Sequence, residues 1–336
     1  MIDWLRLIRA SGLCTILSNL AVSAVVAVYA RGGLDPNWLG KRLLQGSGMR
    51  VGWVLLASFL LYASGMLWND LADIERDRTL HPRRPLPSGR VSYVTAYVAG
   101  IVMAVAALLV ASQLEHGFHV AGVVLSLALL YNFVTKHVPW LGSLNMALVR
   151  FSHALFALLL LGSDHLEMAV LGIMDAFGAP VVLPGAQIAL TYPLLLGGYV
   201  FGLTLISELE SRRGTRLELL FGGACMAAVI GIAAVMLVTA HWIADFQQRG
   251  QHVRMVASLF LGLGILGLLL WRVGTRWWAA VRLGRKTLIG PIIPAALGGM
   301  ILFDALIATS FHPLGGLLIL MLYPVFRLTG KMIRMD

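Results

Sequence analysis

An all-α bundle of nine or ten membrane-spanning helices is the predicted fold class, and three observations predict it. Hydrophobic residues make up 59% of the chain and charged residues 12%, about half the roughly 25% charged share of a soluble domain. Mean hydropathy is +0.83. Apolar stretches recur along the 336 residues at close to the ~20 residues that a helix needs to cross the hydrocarbon layer.

Ten stretches qualify: residues 10–30, 51–68, 91–112, 117–134, 141–161, 188–206, 217–240, 255–271, 288–309 and 314–326. The last is short enough to be a partial span. The first follows Arg6 and Arg9, as the apolar core of a signal peptide follows its basic residues. Its length and the many spans behind it read it instead as the first helix of the mature protein. Low-complexity segments and soluble appendages are absent, so residues 1–336 read as one transmembrane domain. Cys14 and Cys225 both lie in apolar stretches without paired spacing. They read as small buried hydrophobes, not as zinc ligands or a disulfide.

The formal net charge is +10. A nucleic-acid-binding chain gathers such charge into one basic patch. Here Lys and Arg fall between apolar runs, so no nucleic-acid partner is expected and membrane topology accounts for the charge. With the N-terminus in the cytoplasm, the segments on that side hold about 19 Lys and Arg against 6 on the other,. Arg31, Lys41, Arg42 and Arg50 form the loop that runs against this bias, whereas the 162–187 segment has Asp164, Glu167 and Asp175 and no Lys or Arg. The expectation is a multi-pass protein in contact with membrane lipid, with its N-terminus and its site on the cytoplasmic face.

The chemistry concentrates where the second span ends. Asn69 and Asp70 begin a segment that continues through Asp73, Glu75 and Asp77. On a helix turning ~100° per residue, Asp70, Asp73 and Asp77 share a ~60° arc and Glu75 points nearly opposite. Three converging carboxylates repel one another unless a cation sits among them, and Mg2+ favours carboxylate oxygens together with substrate phosphates. On spacing alone, a solvated helix end laced with salt bridges is the competing reading. Next comes His81-Pro82-Arg83-Arg84-Pro85-Leu86-Pro87-Ser88-Gly89-Arg90. Its prolines stop the helix and form a loop.

Together, N-D-x-x-D-x-x-x-D and R-R-P-L-P-S-G-R resemble the first aspartate-rich motif of the UbiA superfamily of intramembrane prenyltransferases. The resemblance implies that Asp70, Asp73 and Asp77 bind Mg2+ bridging to an isoprenyl diphosphate and that Asn69 helps orient it. Arg78, Arg83 and Arg84 would neutralise phosphate charge. Arg90 reads as a positive-inside anchor. Tyr131 to Lys136, at the end of the fourth span, is similar to a tyrosine–lysine element of the same family. For Lys136, a phosphate contact and a snorkelling anchor are both open.

Arg150 lies in the middle of the fifth span, flanked by Asn145 and His153. An Arg at that depth is costly and faces the bundle interior with a partner. A diphosphate, the polar group of an acceptor and the buried carboxylate of Asp304 are the candidates. Where the family carries a second aspartate-rich motif, this chain has Thr204-Leu205-Ile206-Ser207-Glu208-Leu209-Glu210-Ser211 and no aspartate. Glu208 and Glu210 are ~200° apart on a helix, and Ser207 is one turn from Glu210. Either glutamate could replace the aspartates, and a solvated helix end is the alternative. The S-x-x-E arrangement resembles the EboC-like branch of the superfamily. The implied activity is Mg2+-dependent transfer of a prenyl group to an unknown, lipid-soluble acceptor. A non-catalytic binder or transport component for an isoprenoid diphosphate is the other reading. A secondary transporter would call for an inverted repeat, and the sequence has none.

Overall fold

The computed structural model describes residues 2–30, 47–160, 162–164, 166–167, 169–170, 186–211, 214–247 and 252–332. The topological roles of Arg31, Lys41, Arg42, Asp175, Arg212, Arg213, Arg249 and Arg334 lie outside the described residues. Within them the regular structure is helical throughout.

A short helix α1 (Ile2–Leu7) leads into α2 (Leu13–Ala30), α3 (Ser47–Ala72), α4 (Ile74–Leu80), α5 (Tyr93–Ala111), α6 (Gly117–Phe133) and α7 (Leu141–Ala157). The second half holds α8 (Ala186–Ser211), α9 (Arg216–Gln247), α10 (His252–Leu269), α11 (Thr275–Leu283), α12 (Ile292–Phe311), α13 (Pro313–Leu320) and α14 (Leu322–Met332). Among the described residues, eight helices are long and apolar enough to cross a membrane, and the shorter apolar helices Ala10–Val26 and Gly117–Phe133 complete the ten stretches read from sequence. Two differ in extent. The eighth runs on through a π-helical turn, Leu270–Gly274, into α11, and the tenth consists of α13 and α14, joined at Met321.

Two apolar clusters divide the interior. In the first half, Ile16 and Leu20 of α2 meet Val54 and Ala57 of α3, Ala107 of α5, Ala121 of α6 and Phe156 of α7. In the second, Tyr192, Leu196 and Tyr199 of α8 pack with Met226 of α9, Leu269 of α10 and Phe303 of α12. Helix α12 is buried almost continuously from Gly298 to Ser310. Helices α8 and α9 approach backbone to backbone: a Cβ on Gly202 would lie 2.5 Å from the Gly222 carbonyl oxygen. Close approach at small residues is how helices pack where lipid removes the hydrophobic incentive. Outward, α5 exposes Val94, Val98, Val102, Val105 and Leu109. Such an apolar face is a liability in water and the expected surface against acyl chains.

Candidate functional site

Helix α3 ends at Ala72, and Asp73 takes φ −93° and ψ 3° before α4 begins. The backbone barely breaks, because Asp73 N–H still bonds to Asn69 O at 3.1 Å and Asp77 N–H to Asp73 O at 2.8 Å. The three aspartates therefore stay on one side. Asp70 and Asp77 are buried, Asp73 is mostly so, and Glu75 is 79% exposed.

Each aspartate meets a cation from a different part of the chain. Arg9 Nη2 donates to Asp70 Oδ1 at 3.1 Å, Lys136 Nζ lies 2.8 Å from Asp73 Oδ1, and Arg84 Nη1 lies 2.5 Å from Asp77 Oδ2. The loop after α4 is built to deliver Arg84. Leu86 and Val91 pack with Leu7, Leu67 and Leu71, Gly89 takes φ +74°, and the Arg90 guanidinium donates to Arg83 O at 2.5 Å and Ser88 Oγ at 3.1 Å. Arg90 is thus a staple of the loop, beyond the anchor expected of it.

Lys136 sits in a 3-10 turn, Thr135–His137, whose Thr135 hydroxyl accepts from Asn145 Nδ2 at 2.8 Å. Asn145 also donates to Leu127 O at 3.2 Å. It is buried and ties α6 to α7, holding the turn that carries Lys136. Arg9 precedes α2 with a left-handed backbone, φ 47°, and its carbonyl accepts from Tyr62 OH at 3.0 Å. Burial works against its charge, but Asp70, Tyr62 and Asp77 outweigh it, and the net pKa shift is upward.

A cavity of about 960 Å³ opens beside this corner, with Arg9, Tyr62, Tyr131, Arg150, Thr204 and Ser207 on its wall. A smaller one of about 160 Å³ shares Arg9, Tyr131 and Arg150 with it and adds Asn69 and His153. Arg150 Nη1 donates to Asn19 Oδ1 at 3.4 Å, and Asn19 Nδ2 in turn donates to Asp304 Oδ2 at 2.8 Å. Ser18 at 2.6 Å and Tyr192 at 2.9 Å complete the shell of Asp304. Asp304 is therefore linked to Arg150 through one amide, and the guanidinium remains open to the cavity.

The second acidic segment is arranged differently. Helix α8 continues through it to Ser211. Glu208 Oε1 accepts from Ser143 Oγ at 2.5 Å and Oε2 from the Trp140 backbone N–H at 3.3 Å. It caps the N-terminus of α7, where a carboxylate complements the helix dipole. Trp140 itself holds φ 68°, a conformation that a bulky residue rarely adopts,. Ser207 and Thr204 face the cavity, whereas Glu210 is exposed with Oε1 beside Gly290 at the rim. Ser207 and Glu210, one turn apart, thus reach the cavity wall and its rim respectively.

Among the described arginines of the segment after Asp77, only Arg84 pairs with Asp70, Asp73 or Asp77. Arg78 is 57% exposed and pairs with Glu75 at 2.7 Å, and Arg83 is exposed with its carbonyl held by Arg90. Arg9 is the site residue that sequence reading missed. Its contact spans 61 positions, and in sequence it looks like any basic residue ahead of a first span.

The donor set suits Mg2+: hard carboxylate oxygens, with Asp70 Oδ2 buried and unpartnered,. The three carboxylates do not gather within 4.8 Å of one another; among the described residues that is done by Glu115, His116 and Glu167, all exposed, after α5 and after α7. A cation at the aspartate corner would thus be held by one or two of these carboxylates and completed by phosphate oxygens.

Residues 20–217, more than half of the chain, match the family model of the UbiA prenyltransferase family. Solved structures share the fold. A UbiA homologue from Archaeoglobus fulgidus bound to GPP and Mg2+ is 15% identical with TM-score 0.51, covering 91% of this chain and 99% of that one. The apo UbiA homologue from Aeropyrum pernix K1 is 18% identical with TM-score 0.50, covering 86% and 97%. A digeranylgeranylglyceryl phosphate synthase is 15% identical with TM-score 0.50, covering 89% and 97%. The uncharacterized protein y4nM of Sinorhizobium fredii is 37% identical over 89 residues, which are 26% of this chain and only 17% of that protein's length. On the match over residues 20–217, the chain belongs to the UbiA prenyltransferase family.

Proposed function

We propose that this protein transfers a prenyl group from an isoprenyl diphosphate to a lipid-soluble acceptor in an Mg2+-dependent reaction, as one transmembrane domain with its site at the cytoplasmic face. The observation that carries this reading is the aspartate corner, where Asp70, Asp73 and Asp77 are each matched by a cation from elsewhere in the fold.

The diphosphate binds beside Asp70 and Asp73, with Asn69 orienting it and Arg9, Lys136 and Arg84 turning from the carboxylates toward phosphate oxygens. Mg2+, when bound, supplies charge that offsets the diphosphate and favours its departure. The C1–O bond of the allylic substrate breaks and its electron pair leaves with pyrophosphate. Arg9 and Lys136, turned toward the phosphate oxygens, stabilise that developing charge. The apolar wall around Met66, Met146 and Leu203 receives the prenyl chain and keeps water from the cation. The acceptor then attacks C1 from the side of Tyr131 and Arg150, and its proton passes to the departing pyrophosphate.

One observation favours a second reading, a non-catalytic carrier of a prenyl diphosphate: Glu208 is engaged as a helix cap and Glu210 faces outward. Incubating purified protein with a panel of prenyl diphosphates and lipid-soluble acceptors separates the two. Pyrophosphate release with any pair supports the enzyme. Diphosphate binding without release across the panel supports the carrier.

A further inference from the structure

His153 of α7 is buried, and neither of its ring nitrogens has a hydrogen-bond partner among the described residues. A neutral imidazole offers one N–H donor and one acceptor nitrogen, and folded proteins rarely leave buried polar atoms unmatched. The packing around it calls for an apolar side chain. Its helix neighbours Ala154, Phe156 and Ala157 are fully buried, and the Phe156 ring lies 6.5 Å from the imidazole. A leucine would fill this place without leaving two polar atoms unsatisfied.

His153 borders the smaller cavity, of about 160 Å³. One end of that space is polar, with Arg9, Asn69 and Tyr131, and the other is apolar, with Leu61 and Val124. Leu61 precedes Asn69 on α3, and Val124 precedes Tyr131 on α6, by about two turns, or ~10–12 Å of helix,. Helix α7 runs away from the Lys136 turn, and His153 lies one turn farther along it than Arg150. The imidazole is thus a polar group at the apolar end. The volume is close to the ~150 Å³ that holds one benzene ring. A group of about seven heavy atoms fits there, and the rest of a lipid-soluble molecule lies in the larger cavity, which shares Tyr131, Met146 and Arg150 with it.

Resting on the prenyl-transfer reading, we infer that His153 is a specificity-determining residue, whose imidazole anchors an uncharged hydroxyl at the inner end of the acceptor. The hydroxyl donates to the unprotonated ring nitrogen, and its oxygen is within the neighbourhood of Arg150, one turn away. An apolar group in the same place leaves the imidazole unsatisfied. The anchored hydroxyl is not the nucleophile, because His153 lies beyond Arg150 from the aspartates. It fixes how far the acceptor enters and so which of its atoms faces C1.

Nuclear magnetic resonance of detergent-solubilised protein labelled with [15N]histidine tests this, with cyclohexanol and methylcyclohexane as probes of equal size. The ring signal missing from H153Q belongs to His153. Cyclohexanol should move that signal and methylcyclohexane should not. With any acceptor that supports pyrophosphate release, H153L should raise the acceptor KM about tenfold or more and leave the prenyl diphosphate KM within about threefold. H153Q, which keeps a donor and an acceptor, should stay within about threefold on both. A His153 signal that neither probe moves, or that both move equally, overturns the inference; so does an acceptor KM unchanged in H153L. Pyrophosphate release with an acceptor KM indifferent to H153L removes the anchor and keeps the prenyl-transfer reading. Cyclohexanol binding at His153 without pyrophosphate release from any pair of substrates removes that reading and keeps the hydroxyl site.

Discussion

The two acidic segments of this chain end helices near the same cavity, yet they are built to opposite plans. At Asn69–Asp77 the helical hydrogen bonds continue past Ala72, and three carboxylates turn inward to meet Arg9, Lys136 and Arg84. At Ser207–Glu210 the helix runs straight on, Glu208 binds the backbone and hydroxyl that start α7, and Glu210 turns outward. Carboxylates paired with side-chain cations can exchange those partners for a metal and a phosphate. A carboxylate that caps a helix leaves the backbone N–H unpaired if it moves. Carboxylates of the same charge thus serve ligand exchange in one segment and architecture in the other.

Substitution breaks this contrast most sharply at the first segment. Asp70→Asn keeps the shape of the side chain and removes its charge, and should lower pyrophosphate release by about 10²-fold or more, the usual loss when a preorganised electrostatic contact disappears. Glu210→Gln should stay within about twofold of wild type, because its side chain is exposed at the rim,. Equal losses in the two variants would abolish the distinction.

Lys136→Ala tests whether the ion pairs hold the corner together. Removing one partner of a largely buried pair costs up to about 3–5 kcal/mol, so the melting temperature should fall and diphosphate affinity with it. Asp73→Asn combined with Lys136→Ala should recover part of the melting temperature but none of the affinity. Recovery of both would make the pair purely structural.

Glu208→Gln sharpens the comparison from the other side. A lost cap costs about 1 kcal/mol, so a small drop in melting temperature with diphosphate binding retained is expected. The smallest effect belongs to Arg78→Ala, which removes an exposed pair with Glu75 worth about 0–1 kcal/mol,; neither binding nor melting should move measurably.

Periodicity made much of this legible. The ten apolar stretches became the ten apolar helices, because span length is fixed by bilayer thickness,. Asp70, Asp73 and Asp77 fell on one side with Glu75 outside, because a helical repeat fixes direction locally,. What sequence could not give is contact between distant segments. Arg9 reaches Asp70 across 61 positions, and Arg150 reaches Asp304 only through Asn19 of another helix. Arg78 is near the aspartates in sequence, but three positions back on a helix lies Glu75, and Arg78 pairs there,. Asn145 and Glu208 likewise bond to residues far from them in sequence, and these bonds fix the turn and the helix beside the site.

In the proposed reaction the aspartate corner takes up a diphosphate through Mg2+. Calorimetric titration of geranylgeranyl diphosphate into wild-type protein, once with Mg2+ and once with EDTA, tests it most directly. Asp70 Oδ2 is buried and unpartnered, and a bare carboxylate facing a polyanion repels it. Binding with Mg2+ that weakens at least tenfold in EDTA, and that Asp70→Asn weakens to the same level, is the predicted result. Equal affinity in both buffers would contradict it.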